Sequence, residues 1–334
     1  MHLGKRPSHT FTHARLLLRI AAILASVAFI VTGCGGSDTS TADDATTSDT
    51  PPTGSTDSGE TDGAENDDTD STDLRVVALA EEVILADLLA LGITPLASSA
   101  TVPEVGFQGL DGLDATDVEV LGMTTLNLEY LATLEPDVIV TYQFWVDQIG
   151  EDVLGGMAEV RVVPDGLVTE DKVAALGELF DREVEAEALI AELTAARAEA
   201  AAALGDDCEI SAATIYGGPS IAAWVDGPWE LPTSLLETGC TLVPGPEGTS
   251  PDGNGRAWLS LEQLGLLEAP KILLFQTDAV DTERDSVDEI MAEPLWQQLP
   301  AVQADRVEEF DRLGYPGAAG QIRFLTDLTE RLGG

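Results

Sequence analysis

Seven aromatic residues fall in segments that read as loops: Tyr142, Phe144, Trp145, Tyr216, Trp224, Trp229 and Tyr315. A ring in a loop has no helical or strand periodicity to explain it, and aromatic faces suit a bulky organic ligand or a chelated metal. Any one of them has an ordinary use as a half-buried loop anchor; the set together favours a site. Arg256, Arg284, Arg312 and Arg323 are the cations near these loops. A guanidinium donates in a fixed fork to chelating or carboxylate oxygens, and its ordinary alternative is a surface pair with one of many acids. Arg312 ranks first because Tyr315-Pro316-Gly317 follows it, and Arg323 last because it lies inside a terminal helical pattern. All three histidines, His2, His9 and His13, sit in the first 33 residues. Beyond them, His-based metal sites and Ser-His-Asp or Cys-His catalysis are excluded. No nucleophile elbow or phosphate loop occurs either, and Gly253-Asn254-Gly255 reads as a turn. The expectation is a binder without catalytic residues, resident metal or cofactor.

The 334 residues carry 60 Asp plus Glu against 16 Lys plus Arg, a formal charge of −44. Such a surface repels phosphate backbones, so nucleic acid is not expected as a partner. Residues 1–33 hold four Lys plus Arg and no acid. Their basic start and the short apolar run Leu16 to Val31 read as a secretory signal peptide. Val31-Thr32-Gly33-Cys34 resembles the bacterial lipobox, with Val and Thr in place of more usual residues. Cys34 would then carry lipid; the alternative is a plain signal peptide cut elsewhere. Residues 35–73 contain twelve acids, no base and almost nothing apolar, so residues 34–73 are expected to be a disordered tether. From residue 74 onward 12 basic face 48 acidic residues. That surplus reads as a solvated acidic surface, or as adaptation to high salt, where screening tolerates self-repulsion. The remaining cysteines, Cys208 and Cys240, form an even pair in an exported chain and are expected to be disulfide-bonded.

The elements that must position the loops follow from periodicity. Arg75 to Leu79, a helical stretch Glu82 to Leu91 stopped by Gly92, and Thr94 to Ala97 make a β-α-β opening. A short helix at Asn127 to Leu134 and apolar strands at Asp137 to Thr141 and Val160 to Val163 extend it. A second alternation runs through Ile210 to Tyr216 (strand), Leu231 to Thr238 and Leu261 to Leu267 (helices) and Lys271 to Phe275 (strand). Between them Thr169 to Leu204 is helical throughout, and its part Glu183 to Leu204 would span about 33 Å at ~1.5 Å per residue. The expected domains are an α/β lobe at 74–168, a helical connector at 169–205 and a second α/β lobe at 206–334.

Several pieces carry a family resemblance. They are Arg75-Val76-Val77-Ala78-Leu79 with Leu88-Leu89-Ala90-Leu91-Gly92-Ile93-Thr94-Pro95, Asn127-Leu128-Glu129, and Leu134-Glu135-Pro136-Asp137-Val138-Ile139-Val140. In the second half they are Leu259-Ser260-Leu261-Glu262-Gln263-Leu264, Lys271-Ile272-Leu273-Leu274, and Pro294-Leu295-Trp296 through Leu299-Pro300-Ala301-Val302. In order and spacing the chain resembles the helix-linked (class III) substrate-binding proteins of ABC importers for ferric siderophores and vitamin B12. The resemblance implies an α/β fold of two Rossmann-like lobes joined by one long helix, with the ligand cleft between them at the strand carboxyl ends. It implies delivery of a ferric siderophore to a permease dimer, and with the lipobox and tether the expected protein is a monomeric lipoprotein on the outer face of the cell membrane. Cobalamin or haem are the alternative ligands, and a structural surface lipoprotein the alternative class. Four tyrosines leave phenolate ligation of bare iron or haem open, whereas the loop tryptophans, which do not ligate metal, favour a chelated complex. The resemblance further implies docking to permease arginines through Glu129 and Glu262.

Overall fold

Val76–Leu79 forms β1 and is buried along its whole length, as an apolar strand covered on both faces must be. The computed structural model describes residues 74–333 apart from 125, 219 and 228, all within one compact unit. The leader, Cys34 and the tether lie outside the described residues. After β1 come α1 (Glu81–Ala90), β2 (Ala97–Ala100), β3 (Glu119–Gly122), α2 (Leu128–Thr133), β4 (Val138–Tyr142), α3 (Gln143–Ile149), α4 (Glu151–Gly155) and β5 (Glu159–Val163). The five strands are parallel in the order β3-β2-β1-β4-β5, so every loop leaving a carboxyl end emerges on one edge. Strand β2 starts three residues later than the periodicity suggests. Ile93 still donates its N–H back to Leu88 as part of the helix ending, and Pro95 has no N–H to offer a ladder.

The connector consists of two helices, α5 (Thr169–Leu179) and α6 (Glu183–Leu204). The expected uninterrupted helix breaks at Asp181, whose φ is +54°. There the Arg182 N–H returns to the Gly177 carbonyl at 2.8 Å, a Schellman-type closure. A side chain at Gly177 would place Cβ 2.7 Å from the Ala186 Cβ. Glycine thus lets α5 fold back closely over α6. The expected bounds of α6 hold, and Ala186, Leu189, Leu193 and Ala200 form its buried stripe.

The second lobe comprises β6 (Glu209–Tyr216), β7 (Ser220–Trp224), α7 (Glu230–Glu237), β8 (Thr241–Leu242), β9 (Arg256–Leu259), β10 (Ile272–Gln276), α8 (Asp281–Met291), α9 (Pro300–Gln303), β11 (Val307–Asp311) and α10 (Gly317–Leu332). Its sheet runs β11-β10-β6-β7-β9, with β8 beside β6. Pairings among β11, β10, β6 and β8 are parallel, but β7 is antiparallel to both neighbours. The second lobe is therefore mixed rather than wholly Rossmann-like. Strand β7 lies in a stretch read as loop: its two alanines dilute the strand signal of Ile221 and Trp224, and its place between β6 and β9 makes it a strand. Leu261–Leu266 is a 3₁₀ segment rather than an α-helix, opened by the reciprocal Ser260 and Gln263 capping bonds.

One apolar cluster spans both lobes. It joins Val76 and Ala78 of β1, Ile84 and Leu88 of α1, Leu189 and Leu193 of α6, Leu273 and Phe275 of β10, and Phe324, Leu325 and Leu328 of α10. Separate clusters fill the outer face of each sheet.

Cys208 and Cys240 form a disulfide across 32 residues, tying the approach to β6 to the end of α7. Closing such a loop is worth about 3–4 kcal/mol. Cys208→Ala with Cys240→Ala should lower the unfolding free energy by that amount in denaturant titrations. The unreduced wild type, denatured, should show neither thiol to a labelling reagent.

Candidate functional site

The carboxyl edges of the two sheets enclose a cavity of about 470 Å³, within the usual range of small-molecule sites. One wall is the start of α1, Glu81 to Val83, with Thr101 beyond β2. Glu81 has φ +58°, uncommon for a residue with a side chain and a strain that local bonds must hold. Its N–H donates to Ser99 Oγ at 2.9 Å. The Glu82 carboxylate, almost wholly buried, accepts from the Thr101 N–H at 3.1 Å and from Thr101 Oγ1 at 2.6 Å. The first turn of α1 is thereby clamped to the loop after β2, and Glu81 is presented to the cavity. Burial and the adjacent Glu82 raise the Glu81 carboxyl above the usual carboxylate range.

The opposite wall comes from the second lobe and includes Tyr216, Trp224, Trp229, Arg256, Arg312 and Tyr315. Trp224 and Trp229 stack with centroids 4.2 Å apart. Trp224 is only 3% exposed, and its Nε1 donates to Thr214 Oγ1 at 2.8 Å, so Trp229 is the ring offered to a ligand. Arg312 donates to the buried Glu283 carboxylate through Nη2 and Nε, at 2.5 and 3.0 Å, and lies 5.7 Å from the Tyr216 ring centroid. Arg256 pairs with Asp252 at 2.9 Å and lies 5.1 Å from the Trp258 ring. The Tyr315 hydroxyl donates to Asp327 Oδ2 at 2.7 Å. Burial, and then that bond, push its phenol above the usual range.

Beneath the cavity lies a buried polar group. Lys172 of α5 donates to Glu230 of α7 at 2.6 Å, both largely covered. Asp87 of α1 is fully buried and accepts from the Ala318 N–H, at the start of α10, at 2.7 Å. Burial first, then the Glu230 charge, push Asp87 up to about 7. A Cβ on Gly317, at φ +65°, would fall 2.5 Å from Asp87 Oδ1, so the carboxyl seats directly on the helix end. Tyr142 adjoins this group, its phenol raised well above the usual value by burial, with Glu230 and Asp87 adding to the shift.

Of the sequence candidates, Tyr216, Trp224, Trp229, Arg312 and Tyr315 come together on one wall, joined by Arg256. Tyr142, Phe144, Trp145 and Arg284 are placed elsewhere. Tyr142 and Trp145 pack on the shared cluster. Phe144 is 52% exposed and edge-on to Trp145. Arg284 is paired with Glu309 on the surface. Two of the loops that carry these residues are in fact helical from Gln143 and Asp281. Arg323 instead straps the lobes, donating to the Asp111 carbonyl at 2.6 Å and the Gly314 carbonyl at 2.7 Å. Glu81, Glu82 and Glu230 were not singled out in the sequence, where 48 acids of the domain look alike. Glu129 and Glu262 are exposed in the first turns of α2 and of the 3₁₀ segment. Both follow strands, β3 and β9, that end on the cavity side of their sheets.

A family model described as periplasmic binding protein matches residues 76–312. The chain belongs to that family. Its members are extracytoplasmic binding proteins, and among the described residues no helix is long and apolar enough to cross a membrane. Three solved structures of this fold show the similarity. FeuA of Bacillus subtilis, a triscatecholate siderophore binding protein complexed with ferri-bacillibactin, is 18% identical, covering 78% of this chain and 93% of its own at TM-score 0.64. The siderophore binding protein FhuD of Vibrio cholerae, bound to Fe3+-Desferal, is 24% identical with coverage of 78% and 98% at TM-score 0.62. BSU3320 of Bacillus subtilis, a component of a Fep/Fec-like ferrichrome ABC transporter, is 18% identical with coverage of 78% and 97% at TM-score 0.61. No curated protein matches the sequence significantly.

The buried carboxyl has a pH signature. Because the Asp87 pKa in the fold lies near 7 and near 4 when unfolded, the folded state holds the extra proton between those values. Its contribution to stability is full below about pH 4 and is lost as pH rises to about 7, at most about 4 kcal/mol. Asp87→Asn keeps an acceptor for Ala318. Relative to wild type it should gain stability between pH 5 and pH 8 in denaturant titrations; a difference independent of pH would refute the assignment.

Proposed function

We propose that this protein is the ligand-capturing component of an ABC importer for a ferric siderophore. The observation that carries the reading is the cavity between the lobes, with Trp229, Tyr216 and Tyr315 on one wall beside two arginines. Aromatic faces of that extent suit a bulky chelate. Membership of the family and the ligands of the three similar structures support the same class. Trp229 does not ligate metal, and the Tyr315 hydroxyl already donates to Asp327 at 2.7 Å, which favours a preformed chelate over phenolate ligation of bare iron or haem. Cobalamin and haem are distinguished from it by the same titration. The protein binds its ligand without catalysis and as a monomer.

Cys34 carries the lipid that anchors the protein at the outer face of the membrane, and residues 35–73 serve as the tether. An anchored tether raises the effective concentration of the binding domain at its permease. Glu129 and Glu262, one on each lobe, are the contacts to the permease dimer. Both turns begin at the cavity edge of their sheets, which supports a shared docking face.

Two outcomes test this reading. Ferric siderophores should quench intrinsic tryptophan fluorescence, and Trp229→Ala should weaken binding by about 1–3 kcal/mol while Trp145→Ala stays within about twofold of wild type. Glu129→Ala with Glu262→Ala should abolish uptake into cells while solution affinity stays within about twofold, because rim charges set a partner interface and not the cleft. Normal uptake by the double variant would remove these residues from the docking face.

A further inference from the structure

Resting on that reading of the cleft, we propose that it selects neutral or cationic ferric complexes, of the trishydroxamate class, and rejects anionic triscatecholates. Three hydroxamate monoanions cancel the charge of ferric iron, whereas three catecholate dianions leave a trianion. An anionic chelate therefore needs cations that are free to turn toward it, and here the cations of the cleft are committed. Arg312 is held by two donor contacts to Glu283, which is 3% exposed; swinging it toward a ligand would strand a buried carboxylate. Arg256 is held by Asp252, whose carboxylate also accepts from the N–H groups of Asn254 and Arg256 and from Trp258 Nε1. Lys172 is consumed by Glu230, itself a lining residue of the cavity.

The facing wall adds charge of the opposite kind. Glu81 and Glu82 line the cavity, and among the described residues neither forms an ion pair. Glu82 has only the two Thr101 donors. Burial and the neighbouring Glu82 raise Glu81, with Thr101 and then Arg312 offsetting in part, so this unpaired acidic wall gains from an incoming positive charge and loses from a negative one. With its partners counted, the cleft holds five carboxylates against three cations. Rings facing Arg256 and Arg312 offer stacking surface without adding net positive charge.

Three ferric complexes test the selection by tryptophan quenching of the whole protein: the Desferal complex, a trishydroxamate with a free ammonium; ferrichrome, a neutral trishydroxamate; and ferri-bacillibactin. Titrations at about 0.1 M and about 1 M salt are compared: the higher salt screens exposed charges beyond ~3 Å but partly buried ones much less, so the −44 charge of the chain does not decide a ratio that persists there. We expect the Desferal complex and ferrichrome to bind at least about 30-fold more tightly than ferri-bacillibactin, and Glu81→Gln to narrow the Desferal-to-bacillibactin ratio about fivefold. Equal or tighter binding of ferri-bacillibactin would overturn the selection and leave the siderophore reading intact. A ratio unmoved by Glu81→Gln, or one lost in high salt, would overturn the assignment to this wall. Quenching by none of the three would overturn both readings together.

Discussion

Helix α10 is the constraint on which the rest of the molecule depends. It belongs in sequence to the second lobe, yet it packs against α6 of the connector and against α1 of the first lobe. Its buried residues Phe324, Leu325 and Leu328 complete an apolar cluster that begins at β1 and ends at β10. Burying the face of α10 therefore requires both lobes at once. Each side chain of that size is worth about 1.5–3 kcal/mol when fully buried, so opening the lobes widely would expose several such contributions together.

Polar contacts fix the position that the apolar cluster leaves free to slide. The Asp87 carboxyl receives the Ala318 N–H at the start of α10, where the helix leaves donors unsatisfied and favours an acceptor. Arg323, farther along the same helix, reaches carbonyls on the loop after β2 and on the turn before α10. Arg197 of α6 pairs with both Glu170 of α5 and Glu237 of α7. These bonds join elements far apart in sequence along a single seam. A binding protein hinged in this way presents a largely preformed cleft, which lowers the ordering cost of capture.

Acidity shapes the site as much as the fold does. With 12 bases against 48 acids beyond residue 73, an arginine finds a carboxylate before it meets any ligand. The pairs Arg312–Glu283 and Arg256–Asp252 hold the guanidinium groups within 6 Å of the Tyr216 and Trp258 rings, which fixes this wall. Trp258, 47% exposed beside Tyr216, extends that surface, although its place in an alternating strand gave no hint of it.

Much of the fold was legible in the chain itself. Strands such as β1 and β10 are apolar on both faces, so burial dictates them whatever their neighbours. Helix α6 runs over the expected residues because its stripe repeats at helical spacing and no residue breaks it before Gly205. The paired cysteines and the loops around Tyr216, Trp229 and Tyr315 were legible for similar local reasons. Contacts between distant segments were not. Strand β7 exists because β6 and β9 supply ladders on either side of an alanine-rich segment. Asp181 turns the connector because α5 must fold back onto α6. Tyr142 ends strand β4 and Trp145 lies in the helix that starts at Gln143, and both pack on the shared cluster instead of the cavity wall. Which of 48 similar acids would line the cleft depended on lobes far apart in sequence, and which arginines would already be paired depended on the turns that bring Asp252 to Arg256 and Glu283 to Arg312. Local sequence dictates periodicity and burial; the charge that a ligand meets is set only when the lobes close around a common helix.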